Sequence, residues 1–148
     1  MRVNLGCGFN KMEGFVNVDN RTFVNPDIVI DVEKGLPFQD NSLSEVVAKD
    51  FLEHIPIGKT VFVVEEIYRV LEKNGVFFSY TPSTDGRGAF QDPTHVSFWN
   101  KNSWLYYTVD EYIKLYDIKV KFAGKITDIM VDRSQNLVYT RAILRAIK

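Results

Sequence analysis

A single cysteine, Cys7, excludes any disulfide within the chain and with it the small scaffolds that depend on such bonds. Charge of one sign is also missing. Eighteen Lys and Arg against nineteen Asp and Glu leave a net charge of −1, so no bulk field grips a phosphate backbone, and nucleic acid is not expected as a partner. No apolar run approaches the roughly 20 residues of a membrane span, and the first residues lack the pattern of a signal peptide. A cytoplasmic protein with no membrane partner is the expectation. Repeats, low-complexity tracts and linkers are absent too, so residues 1–148 are expected to form one domain long enough to bury a core.

What is present is a series of short runs rich in β-branched and aromatic residues. They are Val3 to Leu5, Phe15 to Val18, Asp27 to Ile30, Glu45 to Ala48 and Val76 to Tyr80. Their alternation is weak, which points to strands covered on both faces in a parallel sheet flanked by helices. Val61, Val64, Ile67, Tyr68 and Leu71 recur at helical spacing, with Glu65, Glu66, Arg69, Glu72 and Lys73 opposite them, and Asn74-Gly75 supplies a left-handed stop. Thr108-Val-Asp-Glu111 fits a capping box before another helix, with a shorter helix over Asn102 to Tyr107. Two last strands are expected at Ile118 to Phe122 and Leu137 to Leu144, paired antiparallel through a turn in Ala123 to Asn136. The order β, β, β, β, α, β, α, β, β is that of an α/β domain with a mixed sheet edge.

Gly6 and Gly8 directly follow the first strand, where the lack of a β-carbon lets backbone amides approach a ligand. Asp19, at the end of the second strand, is placed to accept the hydroxyl hydrogen bonds of a ribose. A dinucleotide fingerprint asks for a third glycine, a full helix at the pyrophosphate and an acid about 20 residues on. Asp19 stands much nearer, and Phe9 to Gly14 holds only about one helical turn. Gly58-Lys59-Thr60 ends like a phosphate loop, but Glu53 occupies the position of its upstream glycine.

Together, "NLGCG", "FVNVD", "LPFQDNSLSEVV", "DFLEHI", "RVLEKNGVF" and "DPTHVSFW" resemble class I S-adenosylmethionine-dependent methyltransferases, particularly the small bacterial and phage-type ones, over residues 2 to about 107. The resemblance implies a Rossmann-like, mostly parallel seven-stranded sheet with an antiparallel edge strand and reduced helices. It implies S-adenosylmethionine as cofactor: Gly6, Cys7 and Gly8 would hold the methionine part, Asp19 the ribose, and Asp31 with the Val32 amide the adenine edge. Asp50 and Phe51 follow the fourth strand at the carboxyl edge, where ligands of open α/β sheets sit, and are candidates for cofactor contact. Two departures matter: Asn10 stands where many members have a third glycine, and no helical cap precedes the first strand.

Methyl transfer requires an acceptor aligned with the sulfonium methyl, plus a base if the acceptor is protonated. After the fifth strand, residues 81–104 form a long polar, then aromatic, segment suited to closing over a substrate. His95 is its candidate base, because an imidazole titrates near neutral pH. Asp92 is a candidate to orient that ring, although Asp92-Pro93-Thr94 also makes a good turn. No residues are assigned to a metal. The expected acceptor is a small molecule or saccharide carrying oxygen or nitrogen, and a homodimer is a possible source of the missing cover. The alternatives are a non-catalytic cofactor-binding or assembly subunit and a nicotinamide-dependent oxidoreductase.

Overall fold

The computed structural model describes all of residues 1–148. Seven strands form one sheet: β1 (Arg2–Leu5), β2 (Val16–Asp19), β3 (Ile28–Val29), β4 (Leu43–Lys49), β5 (Leu71–Pro82), β6 (Phe122–Asp132) and β7 (Leu137–Ala146), in the order β3-β2-β1-β4-β5-β7-β6. The pairings from β3 to β5 are parallel, whereas β7 is antiparallel to both β5 and β6. The antiparallel strand therefore lies one place in from the edge, and β6 takes the edge itself.

The longer helical segments cover one face, a departure from the expectation of strands covered on both, and the other face is met only by the single turn α2 (Gly88–Gln91), which lies against β7. Along β5, Phe77, Ser79 and Thr81 are buried, and Phe77 meets Trp104 and Phe122 edge-on or tilted. On this side pack α1 (Ile57–Val70), through Val63, Val64, Ile67 and Val70, and the 3-10 turn Lys101–Trp104 with α3 (Leu105–Thr108). The alternate residues Phe78 and Tyr80 face the other way and stay half-buried, with the Tyr80 ring stacked on Tyr139. Aromatic and aliphatic side chains shield the strand backbones there in place of a helix.

The reason lies between β1 and β2, where no helix forms. Asn4 and Asn17 are register partners and are almost fully buried. The Asn4 amide donates to Asn17 Oδ1 at 3.0 Å and to the Asn10 carbonyl at 3.2 Å. Asn17 Oδ1 also accepts from Met12 N at 2.8 Å, and its amide donates to Phe15 O and to Asp27 Oδ2. Two side chains thus serve the loop's backbone groups, which would otherwise be left without partners. An apolar helix would find a polar face here.

On the other side of the sheet, α1 is fastened to the loop before β4. Arg69 donates to the carbonyls of Leu36 and Phe38, to Asp40 and, through two nitrogens, to Glu66, while Glu66 Oε2 accepts from Leu36 N at 2.8 Å.

Three local expectations are corrected. The helix ends at Val70, and Asn74, with φ 63°, turns the chain inside β5, where the pairing to β4 shifts register. A Cβ on Gly75 would lie 2.9 Å from the Glu72 carbonyl, so glycine answers a close backbone approach there and not a helix end. Thr108 caps nothing: its hydroxyl donates back to Trp104 O, and α4 (Asp110–Leu115) starts after Val109. The box forms instead at Asn100 and Ser103. Finally, β6 runs over Phe122–Asp132, not Ile118 to Phe122. Its exposed Gly124 and Lys125 and half-buried Asp128 hide a strand that holds an edge.

Asn17→Ala should lower stability by about 3 kcal/mol, since it leaves the Met12 amide and the Asn4 side chain short of partners; a downshifted urea midpoint is the readout. The Glu66 carboxyl is held below its ordinary range chiefly by Arg69, against burial and with help from the Leu36 amide. Its stabilising contribution is present above the ordinary value and is lost as pH falls through the lower folded one. Glu66→Gln should therefore cost about 1–2 kcal/mol at pH 7, and the difference from the native chain in thermal unfolding should vanish at strongly acid pH.

Candidate functional site

The carboxyl ends of β1, β2 and β4 open into a cavity of about 330 Å³. Gly6, Asp19, Asp31, Val32, Asp50 and Phe51 line it, so most of the residues singled out in the sequence converge there. Cys7 and Gly8 do not line it. Cys7 is buried, its amide donates to Val18 O, and burial raises its thiol pKa.

Gly6 sits at φ 62°, and a Cβ on it would come within 2.3 Å of Phe51 Cδ2. The aromatic ring therefore packs directly on the turn, and only glycine permits both the backbone conformation and the contact. Gly8, at φ 51°, spends its amide on Asp19 Oδ2 at 2.8 Å.

Asp19 is 5% exposed and its carboxylate is saturated. Oδ1 accepts from Arg21 N and Nε, each at 3.0 Å, and Oδ2 accepts from Gly8 N and from Arg21 Nη2 at 3.1 Å. Burial pushes its pKa up, but the bonds from Arg21 and Gly8 outweigh it and hold the carboxyl below its ordinary value. A ligand hydroxyl gains Asp19 only when the Arg21 side chain moves aside. Arg21, half-exposed, was missed in the sequence; its sign was a lone cation two residues beyond the acid.

Asp31 both lines the cavity and caps the 3-10 turn Val32–Lys34 by accepting from Glu33 N at 3.1 Å. Asp50 holds φ 47° and donates its amide to Tyr80 O, which turns the chain sharply at the end of β4.

Asp50 and His54 also line a second, smaller recess of about 240 Å³, shared with Glu53, Asp92, His95 and Tyr139. His95 is nearly buried and its Nδ1 contacts the Ala89 carbonyl at 3.0 Å. Asp92 Oδ2 lies 3.8 Å from His95 Nε2, too far for a hydrogen bond, and its other oxygen accepts from the Thr94 amide and hydroxyl. The backbone carbonyl orients the ring, and Asp92 builds the turn. Glu53, which the sequence placed only within the family-like "DFLEHI", is 1% exposed, a burial that no spacing records. Burial raises its pKa, partly offset by a bond from Thr81.

The aromatic residues of 98–107 lie elsewhere. Trp99, Trp104 and Tyr107 belong to the core, and Phe98, Trp99, Tyr106 and Tyr107 border an apolar cavity of about 410 Å³ that shares no lining residue with the glycine-turn cavity.

Gly6→Ala should cost at least about 1–3 kcal/mol from the left-handed conformation alone, more once Phe51 is displaced, and chemical unfolding measures it.

A family model described as "Methyltransferase domain" matches residues 4–79. A search of curated proteins finds no sequence match. Among solved structures, a SAM-dependent methyltransferase from Methanosarcina mazei superposes with a TM-score of 0.65 at 14% identity, covering 99% of this chain and 91% of that one. A chain of the complex between the Haloferax volcanii Trm112 methyltransferase activator and a methyltransferase gives 0.69 at 15%, covering 99% and 82%. The [4+2]-cyclase SpnF gives 0.68 at 11%, covering 99% and 75%. At such identities these likenesses show the fold alone, and a fold hosts more than one chemistry. The matched family model carries the assignment further, and it removes the basis for an oxidoreductase: the chain belongs to the class I S-adenosylmethionine-dependent methyltransferases.

Proposed function

We propose that the protein transfers a methyl group to a hydroxyl or amine of a small polar acceptor, with a saccharide the favoured class, in the cytoplasm. The observation that carries this reading is the pair of adjoining cavities, one at the glycine turn and one polar, which share Asp50 and His54. A cofactor held in the first would adjoin an acceptor held in the second.

The first cavity fits S-adenosylmethionine by its chemistry. Asp31 and the Val32 amide would offer an acceptor and a donor to an adenine edge, Asp19 would serve the ribose hydroxyls once Arg21 swings away, and of the glycine turn Gly6 alone would border the cofactor. Phe51 and Asp50 close the floor. When bound, the cofactor supplies an electrophilic methyl on a sulfonium.

The second cavity suits an acceptor rich in hydroxyls, since Asp50, Glu53, Gln91, Asp92 and His95 all reach it. The Ala89 carbonyl can only accept, so a neutral His95 keeps its proton on Nδ1 and presents a lone pair at Nε2. That lone pair is placed to take the acceptor's proton, with an Asp92 oxygen 3.8 Å away. Most of the acceleration then comes from alignment. No helix of the chain is long and apolar enough to cross a membrane, and a second copy of the chain is the proposed cover for the recess.

Calorimetric titration with S-adenosylhomocysteine tests the cofactor half: saturable binding is expected, at least about tenfold weaker in Asp19→Asn, the loss of one charge-assisted hydrogen-bonding group. Arg21→Ala should bind uncharged 5′-methylthioadenosine several-fold more tightly than the native chain, because the ribose no longer competes for Asp19. No heat with either ligand would overturn the reading.

A further inference from the structure

Glu53 presents an unsolved problem of polarity in the polar recess. Its Oε2 accepts from the Thr81 hydroxyl at 2.6 Å, but Oε1 is buried with no hydrogen-bond partner, in a residue only 1% exposed. Such an orphan oxygen is costly and calls for a ligand. Two imidazoles stand beside it. The rings of His54 and His95 meet edge to face with centroids 5.0 Å apart, and one ligating atom from each of Glu53, His54 and His95 lies within 4.8 Å of the other two.

Both rings are held in the same way. His95 Nδ1 contacts the Ala89 carbonyl at 3.0 Å, and His54 Nδ1 contacts both the carbonyl and the hydroxyl of Thr94 at 3.3 Å, the hydroxyl spending its own proton on Asp92 Oδ1 and so left to accept. A carbonyl only accepts, so each neutral ring keeps its proton on Nδ1 and presents Nε2 as a lone pair. A backbone partner on one ring nitrogen is the usual support for a metal-ligating histidine, because it fixes the tautomer and the ring plane. The two segments are also tied together: Val96 N and Ser97 N donate to the Glu53 carbonyl, and the Ser97 hydroxyl donates to Leu52 O. The cluster is therefore assembled before any ligand arrives.

We propose that Glu53, His54 and His95 form a binding site for a divalent transition cation of the zinc, iron(II) or manganese(II) kind, with Asp92 as an outer carboxylate. Two imidazoles and one carboxylate suit that class better than magnesium or calcium, which prefer oxygen alone. Modest side-chain rotations bring the three atoms from the observed spread to the shorter bonds such ions require. Cation binding stands apart from the methyl-transfer reading, but its consequence rests on that reading. With a cation seated, His95 Nε2 is a ligand and takes no proton. An acceptor hydroxyl polarised by the cation gives its proton to solvent as its oxygen forms the new bond to carbon and the sulfur–carbon bond breaks.

The test is titration of the metal-stripped full-length protein with Zn²⁺ by calorimetry and with Co²⁺ by visible absorption. One ion per chain is expected, with affinity lowered more than about 10–100-fold, the range seen for outer-shell partners, in His54→Ala, His95→Ala and Glu53→Gln. Should Glu53→Gln fail to fold, the exposed His54 carries the comparison. No saturable binding, or binding undiminished in both histidine variants, would overturn the proposal. A parallel titration with S-adenosylhomocysteine separates the two readings: that ligand bound without cation sinks only the metal site, and cation bound without that ligand sinks only the cofactor reading.

Discussion

A chain that passes from one parallel strand to the next without a helix must satisfy the backbone of the connection by other means. Asn4 and Asn17, facing each other across β1 and β2, do this. Their side-chain amides occupy the positions where a helix would present apolar residues, and they bind the connection's own peptide groups. Because the partners are buried, each bond carries the penalty of its loss as well as its own modest strength. The short connection, the one-sided helical cover and the nearness of Asp19 to the glycine turn all follow from that pair.

The same compression shapes the cofactor side. With only ten residues between Gly8 and Asp19 in sequence, the acid can reach back to the Gly8 amide, and Arg21 closes over it. The turn, the acid and the cation make one unit, braced from below by the Phe51 ring against Gly6. The cleft is thus not a set of idle donors and acceptors. It is internally satisfied, and ligand affinity is a difference between two bonded states.

Much of this was legible in the sequence. The parallel strands, the helix before β5, the glycine turn and the acids at strand ends follow from local patterns that tertiary packing did not override. The alternation Val-Asn-Leu and Val-Asn-Val also carried the one-sided cover, because an asparagine recurs on one face in both strands, but it passed for weak alternation. The edge strand β6 was hidden because solvent on one side removes the apolar pattern on which strand assignment depends. Arg21 carried only the faint sign of a cation beside the acid, and Glu53 was illegible for a different reason: its role comes from burial and from Thr81, distant in the chain, neither of which a spacing rule records.

The placement of β7 between β5 and β6 has a consequence for how the chain comes into being. During vectorial synthesis β6 emerges before the only strand it pairs with, and β5 exposes its antiparallel edge until β7 arrives. The two strands join through the tight turn at residues 133–136, helped by Asp132 Oδ1 accepting from the Ser134 and Gln135 amides. A hairpin of this kind closes in microseconds, far faster than the ribosome adds a residue. The hairpin thus has time to form before it docks, and until it does β5 carries an unpaired edge.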